Sequence, residues 1–336
     1  MLGRALRRLG ASLLVLWGVV TLAFVINFAL PGDAARIIAG PQARPADVAR
    51  IREKLGLDRP LLVQYRRFLG RLLHVGPAAV DPRDEVHGSC SALGPLHVDL
   101  GVSYQQRKPV LALLAARLPA SLLLASAALL VQLLLGVFTG TLAAVRKGTV
   151  LDHGVVSLTL LGVSAPTFLL GLGLQYLLAY RLRWLPFDGY GATWPERLRS
   201  VVLPALTLGL FGAAYYTRLV RDEVLGQLGQ DYARTALAKG ASRLRVLVVH
   251  VLRNTVLPLL TVVGLDFGAL LGGAIVTEKL FRWPGLGQLS VDAVVERDGP
   301  VILGTVLVAS SAVILANLLV DLSYALLDPR SRSRPG

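Results

Sequence analysis

Six apolar runs, each long enough to cross a bilayer as a helix, restrict this chain more than any other feature. They lie at about 11–30, 118–145, 154–180, 201–220, 256–277 and 301–327. About 20 apolar residues span the hydrocarbon core, and a backbone deprived of water must satisfy its own N–H and C=O groups, which a helix does. Charged residues make up 17% of the chain and hydrophobic residues 54%, against roughly 25% charged in soluble domains. An ordinary soluble fold is excluded. The chain reads as an all-α, multi-pass integral membrane protein with six transmembrane helices. The first run exceeds the apolar core of a signal peptide and is expected to remain as a span.

The formal net charge of +14 does not point to nucleic acid. No aromatic-basic platform for bases is present, and membrane proteins gather Lys and Arg beside their spans. An even number of spans places both termini on one side. Arg4, Arg7 and Arg8, the Arg146–Lys147 turn, and Arg330, Arg332 and Arg334 in the basic tail put that side in the cytoplasm by the positive-inside bias. Arg181, Arg183, Arg197 and Arg199, outside on this reading, run against the bias.

The resulting order is a first transmembrane helix at 1–30, an extracytoplasmic helical insertion at 31–117, a five-helix core at 118–327 and a cytoplasmic tail at 328–336. In the insertion, Pro45 to Asp47 followed by Val48, Ile51 and Leu55 predicts a short amphipathic helix. A second is predicted from Pro60, with Leu62, Tyr65, Phe68, Leu69 and Leu72 on its buried side. Residues 75–96, rich in Pro, Gly and Ser, read as loop. His87, Cys90 and His97 match no tetrahedral metal-site spacing and are expected to be solvated, so no metal site is assigned. Cys90 is the sole cysteine, which rules out an intramolecular disulfide.

Within the core, Gly136 and Gly140 form a small-xxx-small pair suited to close helix contact, and Pro166 should kink the third span. Gly264, Gly268 and Gly272 recur at four-residue intervals on the fifth span, one stripe for packing against a neighbouring helix. Asp266 on that same span is a candidate pathway residue, because a carboxylate at that depth is costly unless it is paired or hydrated. Asp321 reads as an interfacial residue within reach of Arg330. Asn27 and Gln175 read as interhelical hydrogen-bonders.

The loop at 221–255 holds the sharpest polar feature, Gln230 to Pro258. Asp231 is expected to cap a helix on which Tyr232, Ala233, Ala236 and Leu237 share one face. Gly240 should end it. Ser242 should cap a second helix whose polar face carries His250, Arg253 and Asn254. Two short helices meeting at a glycine between two spans form a docking surface, flanked by Arg234 and Lys239. No phosphate-binding lysine loop, nucleophile elbow or paired-His zinc motif occurs, so uphill transport would draw on a partner that hydrolyses nucleotide or on an ion gradient. A gradient-driven secondary carrier centred on Asp266 is the alternative.

The stretch DYARTALAKG followed by HVLRNTVLP resembles the cytoplasmic "EAA" loop of permease subunits of ATP-binding-cassette importers, in the dipeptide/oligopeptide/nickel branch. FALPGDAARIIAG, DLGVSYQQRKPVLALLAARLPASLLLA, EKLFRWPGLGQLSVDAVVERDGPVILG and NLLVDLSYALLDPR resemble other segments of that branch. The EAA positions fall on Arg234, Thr235, Ala236 and Gly240, with Arg234 in place of the acidic residue of the general pattern. The resemblance implies a type I importer permease fold in the bacterial inner membrane, with transport of peptides or related small solutes. It also implies a second permease subunit, forming a heterodimer, two cytoplasmic ATP-binding subunits, and an extracytoplasmic solute-binding protein. No cofactor or catalytic residue is implied for this chain, since Mg-ATP would be bound by the partners. The coupling set is Asp231, Tyr232, Ala233, Arg234, Thr235, Ala236, Leu237, Lys239 and Gly240, the last as hinge.

Overall fold

The structure, a computed structural model, describes residues 2–29, 34–40, 42–76, 90–93 and 96–327. The first part carries helices α1 (Leu2–Ala29), α2 (Ala34–Ala39), α3 (Pro45–Leu55) and α4 (Leu61–Leu72), then strands β1 (His74–Val75), β2 (Ser91–Leu93) and β3 (Leu96–Val98). Next come α5 (Val110–Val145), α6 (Val150–Ser164), and α7 (Thr167–Leu174) with a π-helical continuation at Gln175–Arg181. α8 (Trp194–Ser200), α9 (Val202–Leu228), α10 (Asp231–Ala238) and α11 (Arg243–Arg245) follow. A second π-helical stretch, Val246–Val251, leads into α12 (Leu252–Gly273), and α13 (Ile275–Leu280), α14 (Leu286–Glu296) and α15 (Gly299–Leu327) come last.

Among the described residues, five helical stretches are long and apolar enough to cross a membrane: Gly10–Asn27, Val110–Val145, Trp194–Leu228, Arg243–Gly273 and Gly299–Val320. The sixth expected span, at 154–180, is not one helix. α6 stops at Ser164, and Pro166 stands as the N-terminal cap of α7. Proline has no N–H to donate and pushes the residue before it out of the helical region, so the expected kink is a full break.

The chain divides into two compact units, Met1–Pro119 with Gly285–Ser311, and Ala120–Pro284 with Ala312–Gly336. In the first, Phe24 of α1 packs its ring against Tyr65 and Phe68 of α4, with centroids 5.2 and 5.4 Å apart. Leu62, predicted to be buried on α4, is instead 77% exposed. It sits in the first turn of the helix, ahead of the residues that meet α1. Leu100, Val110, Leu114, Leu286, Leu289 and Val301 form the core of this unit. Its polar knot is Asp298, which accepts from the Ser103 hydroxyl and from the backbone N–H groups of Tyr104 (3.2 Å) and Gln105 (3.3 Å). Burial, and then the nearby Asp298 carboxylate, push the Tyr104 phenol up to about 12.

The first unit also departs from an all-helical chain. Where described, the segment expected as loop folds into a three-stranded antiparallel sheet ordered β1-β3-β2. Strands of two and three residues are too short to leave an alternating apolar signal.

In the second unit, glycines set the helix contacts. A Cβ on Gly136 of α5 would lie 2.3 Å from Tyr216 Cβ, and one on Gly140 2.6 Å from the Thr217 carbonyl, so α5 and α9 meet backbone to backbone. On the remainder of α5, Leu130, Leu134 and Phe138 are 58%, 63% and 68% exposed at successive four-residue steps. They form an apolar stripe along one face of the helix. Trp283, fully buried, donates its indole N–H to the Ala120 carbonyl at 2.9 Å. Gln175, also buried, donates to the Phe187 carbonyl at 3.1 Å and reaches the Leu280 carbonyl on α13 at 3.5 Å.

Candidate functional site

Helix α10 sits between the ends of two long helices in the second unit, and its two faces differ. Gln230 takes the extended cap position and Asp231 falls in the first turn, one place later than expected. There its carboxylate still faces the positive end of the helix dipole. Ala233 is fully buried among Ala144 of α5, Val220 and Val224 of α9, and Val246 and Val251 of the second π-helical stretch. Ala236 packs at the edge of that cluster. The expected common face of Tyr232, Ala233, Ala236 and Leu237 is therefore divided. The two alanines turn into the chain's own bundle, Ala233 fully buried and Ala236 partly so, while Tyr232, Arg234, Thr235, Leu237 and Lys239 are exposed. Tyr232 donates its hydroxyl to Gln227 Oε1 at 2.6 Å, which ties the helix back to the last turn of α9.

Gly240 closes α10. Its N–H donates to the Leu237 carbonyl at 2.9 Å, the Ala241 N–H donates to the Ala236 carbonyl at 3.1 Å, and its φ is +86°. This is a Schellman cap. The glycine expected as a hinge is thus held by two hydrogen bonds in a conformation that L-residues adopt at a cost. Ser242 caps the next helix, accepting from the Arg245 N–H at 3.3 Å. Arg253 and Asn254 remain exposed beyond it, with Asn254 donating to the His250 carbonyl at 2.9 Å.

Beside this region lies an ion pair that sequence reasoning missed. Asp152, near the start of α6, accepts from Arg221 Nε at 2.7 Å and from its terminal nitrogen at 2.9 Å, a two-bond fork, and also from the Gly148 N–H at 2.9 Å. The Arg221 guanidinium, and then the Gly148 N–H, hold the Asp152 carboxyl well below the usual carboxylate range. The basic turn Arg146–Lys147–Gly148 was legible as a topology signal. That its glycine N–H and a distant arginine converge on one aspartate was not, because the two partners are 69 positions apart.

Asp266 lies half-buried on α12 and accepts from the Tyr216 hydroxyl of α9 at 3.2 Å. Gly264 and Gly268 of the same helix face α15. A Cβ on the first would lie 1.9 Å from Val320 Cγ2, and one on the second 3.0 Å from Val313 Cα. Gly272 falls in the last turn, half-buried. Asn27 lies against Gly299 in the first unit. His87, the Asp321 side chain and Arg330 lie outside the described residues. His97, expected to be solvated, is fully buried on β3, and Cys90 is half-buried beside it. The reason is the sheet, which turns a loop position into an interior one.

Long apolar helices joined at glycine contacts, with a short two-faced helix held between two of them, are the architecture of a multi-pass membrane protein. Residues 136–333 match the family model for the binding-protein-dependent transport system inner membrane component, and residues 1–125 match its N-terminal model. The chain belongs to that family of permeases. It is 36% identical over 361 residues to the dipeptide transport system permease protein DppB of Escherichia coli K12, covering 99% of this chain and 100% of DppB. It is 39% identical over 330 residues to a Brucella abortus protein described as a peptide transport system permease, with 97% and 98% covered. Among solved structures, an inward-facing form of the MetNI methionine ABC transporter matches 66% of this chain and 98% of its own, with a TM-score of 0.54 and 18% identity. That likeness supports the type I importer permease fold. Family and fold together support the importer reading and lend none to a carrier driven by an ion gradient.

Proposed function

We propose that this chain is a permease subunit of an ATP-driven importer of peptides or related small solutes, itself without catalytic chemistry or cofactor. Nucleotide is bound and hydrolysed by two cytoplasmic subunits, and solute arrives from an extracytoplasmic binding protein. A second permease subunit completes the pathway, and both termini of this chain lie in the cytoplasm of a bacterial inner-membrane protein. The peptide substrate class follows from the names that its relatives carry. One observation carries the coupling role: Ala233 of α10 is locked among α5, α9 and the second π-helical stretch, while Tyr232, Arg234 and Leu237 of the same helix face outward. A force applied to the outer face reaches the spans through the inner one without a compliant loop between them. Domain closure in the partners would then move the bundle between its two access states.

The test replaces Gly240→Pro and, separately, Ala236→Arg in the assembled transporter. Each should leave membrane insertion intact and abolish ATP-dependent uptake. In a Cys90→Ser background, Tyr232→Cys should crosslink to a nucleotide-hydrolysing subunit. Normal uptake in both variants, or crosslinks that never capture such a subunit, would overturn the proposal.

A further inference from the structure

Three potential ligands converge in the small sheet of the first unit. His74 on β1 is the direct cross-strand partner of His97 on β3. Cys90 stands one residue before β2, which pairs along the other edge of β3. The β1-β3-β2 order thus makes neighbours of residues that the sequence scatters, and one ligating atom from each lies within 4.8 Å of the others. Cys90 Sγ is 3.6 Å from His74 Nε2. In a tetrahedral zinc site, with Zn–N near 2.0–2.1 Å and Zn–S near 2.3 Å, nitrogen and sulfur stand about 3.6 Å apart.

Two further observations favour a built site. His74 Nδ1 lies 3.0 Å from the Arg71 carbonyl oxygen. A carbonyl can only accept, so Nδ1 carries the proton and Nε2 turns its lone pair towards the sulfur, the arrangement that orients metal-binding imidazoles. Gly76 gives the His97 ring its room, since a Cβ there would fall 2.7 Å from Cε1 and 2.8 Å from Nδ1.

We propose that His74, Cys90 and His97 bind one zinc ion, with the fourth coordination position left to water or to a donor from a partner. Two imidazoles and a thiolate suit a borderline-soft cation and not magnesium or calcium. On binding, the Cys90 S–H bond breaks, its proton passes to solvent and an S–Zn bond forms. The ion supplies what strands of two and three residues lack, a link that holds them in register. The earlier assignment of no metal site rested on spacing in the chain. Folding brings in His74, which that spacing did not include.

The test uses the full-length chain, freed of any affinity tag and treated with chelator, then titrated with Zn(II) and, as a spectroscopic stand-in, Co(II). One ion per chain should bind, and the cobalt form should show thiolate-to-metal charge-transfer absorption. Zinc should slow alkylation of Cys90, the sole thiol. Cys90→Ser and His74→Gln should each weaken zinc binding by at least about tenfold. Sub-stoichiometric binding, an unprotected Cys90, affinity unchanged in both variants, or binding of copper without zinc would each overturn the assignment.

Discussion

The contact between α12 and α15 offers a prediction that geometry decides in detail. An alanine at position 264 would put its Cβ 1.9 Å from Val320 Cγ2 and 3.3 Å from Val320 Cβ. Carbon atoms rest about 3.5–4.0 Å apart, so the γ-methyl must retreat by roughly 1.6 Å. A β-branched side chain in a helix has essentially one χ1 position, and the helix itself must therefore shift. Overpacking of this kind costs about 1–3 kcal/mol, offset by about 1 kcal/mol for replacing a helical glycine with alanine. Gly264→Ala should thus be neutral to about 2 kcal/mol destabilising. Val320→Ala removes the colliding atom and leaves Cβ only slightly close, so the double variant should recover stability with a coupling of about 1 kcal/mol or more. At position 268 the obstacle is Val313 Cα at 3.0 Å. No side-chain truncation removes an α-carbon, and Val313→Ala should rescue Gly268→Ala only in part. The measurement is apparent melting temperature in nanodiscs, for four single and two double variants, read alongside ATP-dependent uptake. Equal rescue at both positions, or a Gly264→Ala protein that simply gains stability with no coupling to Val320, would refute the packing argument.

Two other outcomes follow from polar contacts. Tyr216→Phe leaves a half-buried Asp266 without its hydroxyl donor and should destabilise by about 1–3 kcal/mol. Asp266→Asn should remove most of that penalty while leaving uptake ATP-dependent, and a Tyr216→Phe penalty that Asp266→Asn leaves unchanged would refute the pairing. The Asp152 carboxyl is held below its unfolded value by Arg221 and Gly148, so its stabilisation is complete above the unfolded value near pH 3.9 and fades only as pH falls below that. The contribution of this pair to melting temperature should therefore be constant between pH 7 and 5. Asp152→Asn should lower it by a few degrees across that window, and a wild-type decline already under way at pH 6 that Asp152→Asn abolishes would refute the assignment.

Membrane class, the long apolar stretches and the short helix between two spans were legible in the linear order of residues, because each rests on a local pattern, whereas the break at Pro166 and helices α8 and α14 were not. Apolar runs report spans through length alone, Gly240 reports a helix end through its own φ, and Ser242 reports a cap three residues ahead of the group it satisfies. Burial of one face of α10 was not legible. Tyr232, Ala233, Ala236 and Leu237 obey helical spacing whichever way the helix turns, and only Val220, Val224, Val246 and Val251, packed around Ala233, settle the direction. The same limit hid the Asp152–Arg221 pair and the His74, Cys90 and His97 cluster.

Periodicity and turn chemistry act over a few residues, so the order of the chain alone dictates that it spans a membrane, where its long apolar stretches lie, and to which permeases it is akin. Contacts between residues 16 to 195 positions apart, such as Cys90 with His74 or Ser103 with Asp298, have no local signature. Tertiary packing decides them, because charge, volume and lone-pair direction take effect only once distant segments share the same few ångströms.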